Sequence, residues 1–115
     1  MHDKPLIGLN ASYSSVQGNR PAYTAICAGY FDCILRAGGI PVIVPPLAEE
    51  ADVDCVLERL DGFVLTGGPD LDPRRDGFMR HPSVRAMDPR REDFDRLLAR
   101  LIAGRKMPVF GIGVG

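Results

Sequence analysis

Three short stretches carry residues whose types and spacing could do chemistry: "NASYSS" (10–15), "TGGPDLDP" (66–73) and "GIGVG" (111–115). Each follows an apolar run of strand length. In "GIGVG" the glycines stand at alternate positions around a tight turn at a strand tip. α/β enzymes display a nucleophile in that setting, on the pattern G-x-nucleophile-x-G. Here the central residue is Gly113, which has no side chain. A residue with a side chain at such a turn holds a strained backbone at about 1–3 kcal/mol. Glycine removes the strain and the nucleophile together. As the start of a dinucleotide fingerprint the stretch is misplaced, because that motif follows the first strand and is itself followed by a helix and a distal acid. After the first apolar run, "GLNASYSS" offers one glycine and no phosphate loop.

Gly67 and Gly68 can turn their backbone N–H groups outward, toward an anion or the oxyanion of an acyl transfer. A plain strand-ending turn uses the same residues, and the dipeptide alone leaves the two readings even. His81, in "RHPS", reads as a solvated loop histidine. Cys27, Cys33 and Cys55 form no C-x-x-C pair and leave an odd count. They read as small buried hydrophobes kept reduced, neither disulfide nor metal ligands, and no cofactor or metal motif is present. Arg74, Arg75, Arg80, Arg85, Arg90 and Arg91 bring enough positive charge to meet a carboxylate. Asp70, Asp72, Asp76 and Asp88 offset them locally, so most read as solvated surface.

Elements that alternate along the chain must hold these stretches in place. "PLIGL" (5–9), "IPVIVPP" (40–46), "GFVLTGG" (62–68) and "PVFGI" (108–112) are apolar throughout, the pattern of parallel strands buried on both faces. Between them, helices are expected over 21–37, 49–60 and from Pro89 to Gly104. The first shows Tyr23, Ile26, Tyr30 and Ile34 at helical spacing, with Pro21 in its first turn and Gly38–Gly39 as its left-handed stop. The second carries Val53, Val56 and Leu60 inward, with its acids clustered at the positive end of the dipole. The third opens on an Asp88 cap and turns Phe94, Leu97, Leu98, Leu101 and Ile102 inward. The order βαβαβαβ gives a doubly wound, mostly parallel α/β sheet of flavodoxin or Rossmann type, with four strands and three helices. Ligands bind outside the carboxyl ends of such strands, where all three chemical stretches fall. The connection 69–89 far exceeds an ordinary βα loop and is expected to act as a lid over that edge.

The totals agree with one domain at most. The 115 residues are 45% hydrophobic and 25% charged, and the formal net charge of −1 speaks against a nucleic-acid partner. No apolar run reaches a membrane span, and "MHDKP" has no signal-peptide core, so the protein reads as cytoplasmic.

"KPLIGLN", "ILRAGGIPVIVPP", "LDGFVLTGGPDLDP", "DPRREDFDRLL" and "MPVFGIGVG" together resemble the amino-terminal half of the class I glutamine amidotransferase-like family, in its γ-glutamyl-γ-aminobutyrate hydrolase branch. The resemblance implies that residues 1–115 are that half of one α/β domain. It also implies a cysteine thioester mechanism on γ-glutamyl amides, with a histidine base oriented by a glutamate in an H-x-E motif. Carried onto this chain, Gly113 takes the nucleophile position, and Gly67, Gly68 and Val114 supply oxyanion-hole N–H groups. Arg91 and Glu92 fall where the family has an R-D pair bracing the site, and Asp76 stands where the branch often has tyrosine. Val114 replaces the usual arginine. The nucleophile and the H-x-E dyad are both absent from these residues, which implies a catalytically disabled homologue. The alternative is a non-catalytic module that keeps the cleft for a small γ-glutamyl or amino-acid ligand, or for assembly. A sheet that stops at the elbow leaves apolar surface. A homo-oligomer, or completion by a carboxy-terminal half, is therefore expected.

Overall fold

The first apolar run becomes the strand around which the rest of the sheet is laid. The computed structural model describes residues 3–68, 73–77 and 86–113. In chain order the elements are β1 (Leu6–Asn10), β2 (Ser12–Ser14), β3 (Tyr23–Ala25), α1 (Ala28–Arg36), β4 (Ile40–Val44), α2 (Glu50–Leu57), β5 (Gly62–Leu65), a 3-10 turn (Pro73–Asp76), α3 (Pro89–Ala103) and β6 (Val109–Gly111). Strands β4, β1, β5 and β6 form a parallel sheet in that order, with Leu9 beside Ile43 and Val64, and Val64 beside Phe110. This is the flavodoxin-like order, and the direction of winding reverses at β1.

α2 and α3 cover one face. Val44, Val53, Leu57, Phe63, Phe94 and Leu98 pack there as the centre of the core. A fully buried side chain of this kind contributes about 1.5–3 kcal/mol. α3 is well specified locally: the Asp88 carboxylate accepts from the Arg90 N–H at 2.9 Å, and Pro89 occupies the first turn. Phe94, Leu98 and Ile102, four apart, are its buried line, while Leu97 and Leu101 are half-buried. Arg100 and Arg105 pair with Glu50 and Asp54 and tie α3 to α2.

The structure corrects several expectations. The first helix begins at Ala28, not Pro21, because Tyr23–Ala25 pairs antiparallel with Ser12–Ser14. Gln17 and Arg20 exchange backbone hydrogen bonds across Gly18-Asn19, a two-residue hairpin turn. Tyr23 therefore belongs to a strand, and its helical spacing from Ile26 is coincidence. Gly38 does stop α1 in the left-handed region, at φ 93°. α2 ends at Leu57, which was not expected inward but joins Val53 and Leu60 in the core, while Val56 packs against it half-buried. Gly104 closes α3 at φ −82°, without a left-handed turn. The strands are not buried on both faces: under α1, Leu9 is fully buried, but Ile43 and Phe110 on either side are 45% and 64% exposed. Nor are the cysteines buried; Cys27, Cys33 and Cys55 are all free and exposed. Among the described residues no helix is long and apolar enough to cross a membrane.

Candidate active site

The carboxyl ends of β1, β5 and β6 meet the mouth of α1 in a cleft of about 580 Å³, lined by Tyr30, Thr66, Gly67, Gly68, Arg91 and Gly113 among others. It lies at the switch point of the sheet, where a crevice forms because neighbouring connections leave on opposite faces. Ile112 extends the sheet one residue past β6, its N–H donating to the Leu65 carbonyl at 2.9 Å. The chain then turns at Gly113, whose φ of 64° lies in the left-handed region. A Cβ built at Gly113 would lie 3.3 Å from the Gly67 Cα. Position 113 therefore projects at the Gly-Gly turn.

That turn is held by buried polar side chains. The Asn10 side-chain oxygen accepts from the Thr66 N–H at 2.7 Å, and the Thr66 hydroxyl donates to the Asn10 carbonyl at 3.0 Å. From α3, the Arg91 guanidinium donates to the carbonyls of Thr66 at 3.3 Å and Gly67 at 3.2 Å. Arg91 is 2% exposed, and its Nε pairs with Asp95 at 3.2 Å. Asp95 in turn accepts from the Asn10 amide at 2.9 Å. A buried charge is tolerated only with such pairing. Burial pushes the Asp95 carboxyl above its ordinary range, outweighing the hydrogen bond from Asn10 and the charge of Arg91. A Cβ at Gly68 would sit 2.9 Å from the Arg91 guanidinium carbon, so a side chain there would displace the guanidinium or the turn.

Glu92, 1% exposed, faces the other way and is gripped by Arg96 at 2.7 Å and Arg75 at 3.4 Å. Arg96 also takes both oxygens of Asp76, at 3.1 and 3.0 Å, holding that carboxyl below its usual range. Glu92 thus anchors the 3-10 turn to α3, while Arg91 reaches the cleft; the pair divides into two different jobs. Of the arginines expected to be solvated, Arg74, Arg75 and Arg90 are exposed, and Arg91 is the exception among the described residues. Arg91 is buried, Arg75 is ion-paired, and Arg90 donates to the Pro46 carbonyl at 3.1 Å while lying 5.0 Å over the Tyr13 ring. Val114, His81, Asp70, Asp72, Arg80 and Arg85 lie outside the described residues, as does most of the stretch 69–89.

Asn10 and Thr66 open two of the stretches named in the sequence but were given no role, and Asp95 was not singled out; no local pattern marks their network, since the Asn10–Asp95 bond spans 85 residues of chain. Cys27, read as a helix residue, caps α1 instead and lines the cleft. Among the described residues no group of His, Cys, Asp and Glu is placed to hold a metal ion.

Sheet order and sequence are those of a class I glutamine amidotransferase-like α/β protein. The chain belongs to the Peptidase C26 family, whose model matches residues 5–115. It is 38% identical over 112 residues to a Mycobacterium tuberculosis protein named "Putative glutamine amidotransferase", covering 95% of this chain and 36% of that one. It is 29% identical to a "Gamma-glutamyl-gamma-aminobutyrate hydrolase" of Escherichia coli O157:H7, with 96% and 42% covered. Against "Protein NtpR" of Enterococcus hirae the identity is 23%, with 94% and 46% covered. The chain thus spans less than half the length of these curated relatives.

Proposed function

We propose that the cleft is the γ-glutamyl site of this family's amide chemistry, in a homologue disabled at the nucleophile position, Gly113. In the mechanism the resemblance implies, a thiolate at this position attacks the γ-glutamyl amide carbon, and the carbonyl oxygen gains negative charge. The N–H groups of Gly67, Gly68 and Val114 would receive that charge. The amine then leaves with a proton, and water resolves the thioester. Gly113 has no sulfur to begin the sequence, so in this chain the cleft holds a γ-glutamyl or amino-acid ligand without cleaving it.

One observation carries the reading: a side chain at 113 would start 3.3 Å from Gly67, against the one turn whose carbonyls are drawn back by a buried arginine. Residues 1–115 correspond, on this reading, to the amino-terminal half of the family's domain. The exposure of Phe110 and Ile43 supports completion by further chain or by a second copy.

The test is Gly113→Cys, treated with a glutamine-derived chloroketone and mapped by peptide mass. The new thiol should be alkylated faster than Cys33 and Cys55, and glutamine should slow it. Labelling no faster than at those two surface cysteines, with no protection by glutamine, would remove the basis of the proposal.

A further inference from the structure

We infer that Asp95 is a positioning residue of this cleft: by tying Asn10 to Arg91, it sets the direction in which the Gly67 and Gly68 N–H groups point. The purpose of that orientation rests on the reading of the cleft as a γ-glutamyl site, while the orientation itself follows from hydrogen bonds alone.

Asp95 stands at the vertex of two arms. Its Oδ1 accepts from the Asn10 Nδ2 at 2.9 Å, and its Oδ2 accepts from the Arg91 Nε at 3.2 Å. The first arm ends on the Thr66 N–H, held by the Asn10 Oδ1 at 2.7 Å. The second ends on the carbonyls of Thr66 and Gly67. No peptide bond here is cis. In a trans peptide the C=O and the following N–H point in opposite directions. Drawing the Thr66 carbonyl toward Arg91 therefore turns the Gly67 N–H away from it, and drawing the Gly67 carbonyl does the same to the Gly68 N–H. Neither N–H donates to another described residue. Two adjacent donors are left aimed away from the guanidinium and open to an incoming oxygen.

Arg91 alone could not hold this pose. Its side chain is long, and each torsion is free unless something fixes it. Asp95, one turn further along α3, fixes the Nε, so the remaining face of the fork can lie only toward the turn. Asn10 fixes the other Asp95 oxygen from β1. Helix, strand and turn are locked through one carboxylate.

The bond pattern gives a direct test. In Asp95→Asn, one oxygen and one NH₂ face two donors, Asn10 Nδ2 and Arg91 Nε, so one arm must break. In Asn10→Asp, two carboxylates face each other. In the exchanged double variant, Asn10→Asp with Asp95→Asn, every bond can reform. The aspartate at 10 accepts from the Thr66 N–H and from the asparagine at 95, whose oxygen accepts from Arg91. The readout is the amide resonances of Gly67 and Gly68 in the ¹⁵N-labelled chain, with chloroketone labelling in the Gly113→Cys background beside it.

The expected result is that Asp95→Asn moves both glycine resonances and slows labelling by about tenfold to a hundredfold, and that the exchange restores both. Glycine resonances unmoved by Asp95→Asn, or an exchange no closer to the parent than the single variant, would overturn the inference. Should Asp95→Asn fail to fold, Arg91→Lys keeps the charge and loses the fork; the same resonances must move or the inference fails. Glycine shifts that respond as described while position 113 never labels would support this inference and defeat the functional reading. Labelling that proceeds while the glycines ignore Asp95 would do the reverse.

Discussion

On the α2–α3 side of the sheet, apolar side chains are closed away from water: Val53, Phe63, Phe94 and Leu98 are each no more than 2% exposed. On the α1 side, the same strands leave Ile43 at 45% and Phe110 at 64%. Both faces are written in equally apolar residues, so composition does not distinguish them; what differs is how much helix lies over each. One short helix, α1, packed chiefly against β4, lies over the open face, while the two tied helices α2 and α3 lie over the other. The candidate active site sits at the strand ends between the two faces, lined by Tyr30 of α1 and Arg91 of α3, and its α3 side shows the same completeness in polar form. No buried side-chain polar atom among the described residues lacks a partner. A cleft that must present donors in one direction needs rigid backing, and the closed face supplies it.

Leu98→Ala should break the closed face most severely, costing about 2–5 kcal/mol in urea denaturation. Phe110→Ala should change stability by less than about 0.5 kcal/mol, because most of its ring already meets water. A loss at Phe110 as large as that at Leu98 would mean the α1 face is covered in solution, and the contrast drawn here would not hold. Gly68→Ala should come next, at about 1–3 kcal/mol by the same measurement, because its Cβ overlaps the Arg91 guanidinium and one of them must move. Gly113→Ala should follow among the glycine changes, at about 1–2 kcal/mol, the cost of a Cβ in the left-handed region. No loss at Gly113 would show that the turn relaxes to an ordinary conformation and does not aim its residue at Gly67.

The parallel strands and α3 were legible because their signals are local: unbroken apolar runs, an Asp88-Pro89 start, apolar residues four apart. The positions of Gly67, Gly68 and Gly113 were legible as strand tips, since topology brings such tips to one edge. The hairpin of β2 and β3 was hidden by the chance helical spacing of Tyr23, Ile26 and Tyr30, although Gly18-Asn19 was a turn signal in plain view. The network behind the turn left no local trace. Asn10, Thr66 and Asp95 are ordinary polar residues until the fold brings β1, the end of β5 and α3 together. Uncovered apolar surface was expected from a sheet that stops at the elbow, but an apolar run does not say which face goes without cover.

The proposed function depends on position 113 facing the outward N–H groups of Gly67 and Gly68. A crystal structure of the Gly113→Cys chain after reaction with the glutamine-derived chloroketone tests this most directly. The ketone oxygen of the adduct should lie about 2.7–3.1 Å from at least one of those two nitrogens. A ketone oxygen turned to solvent, with both glycine N–H groups untouched, would contradict it.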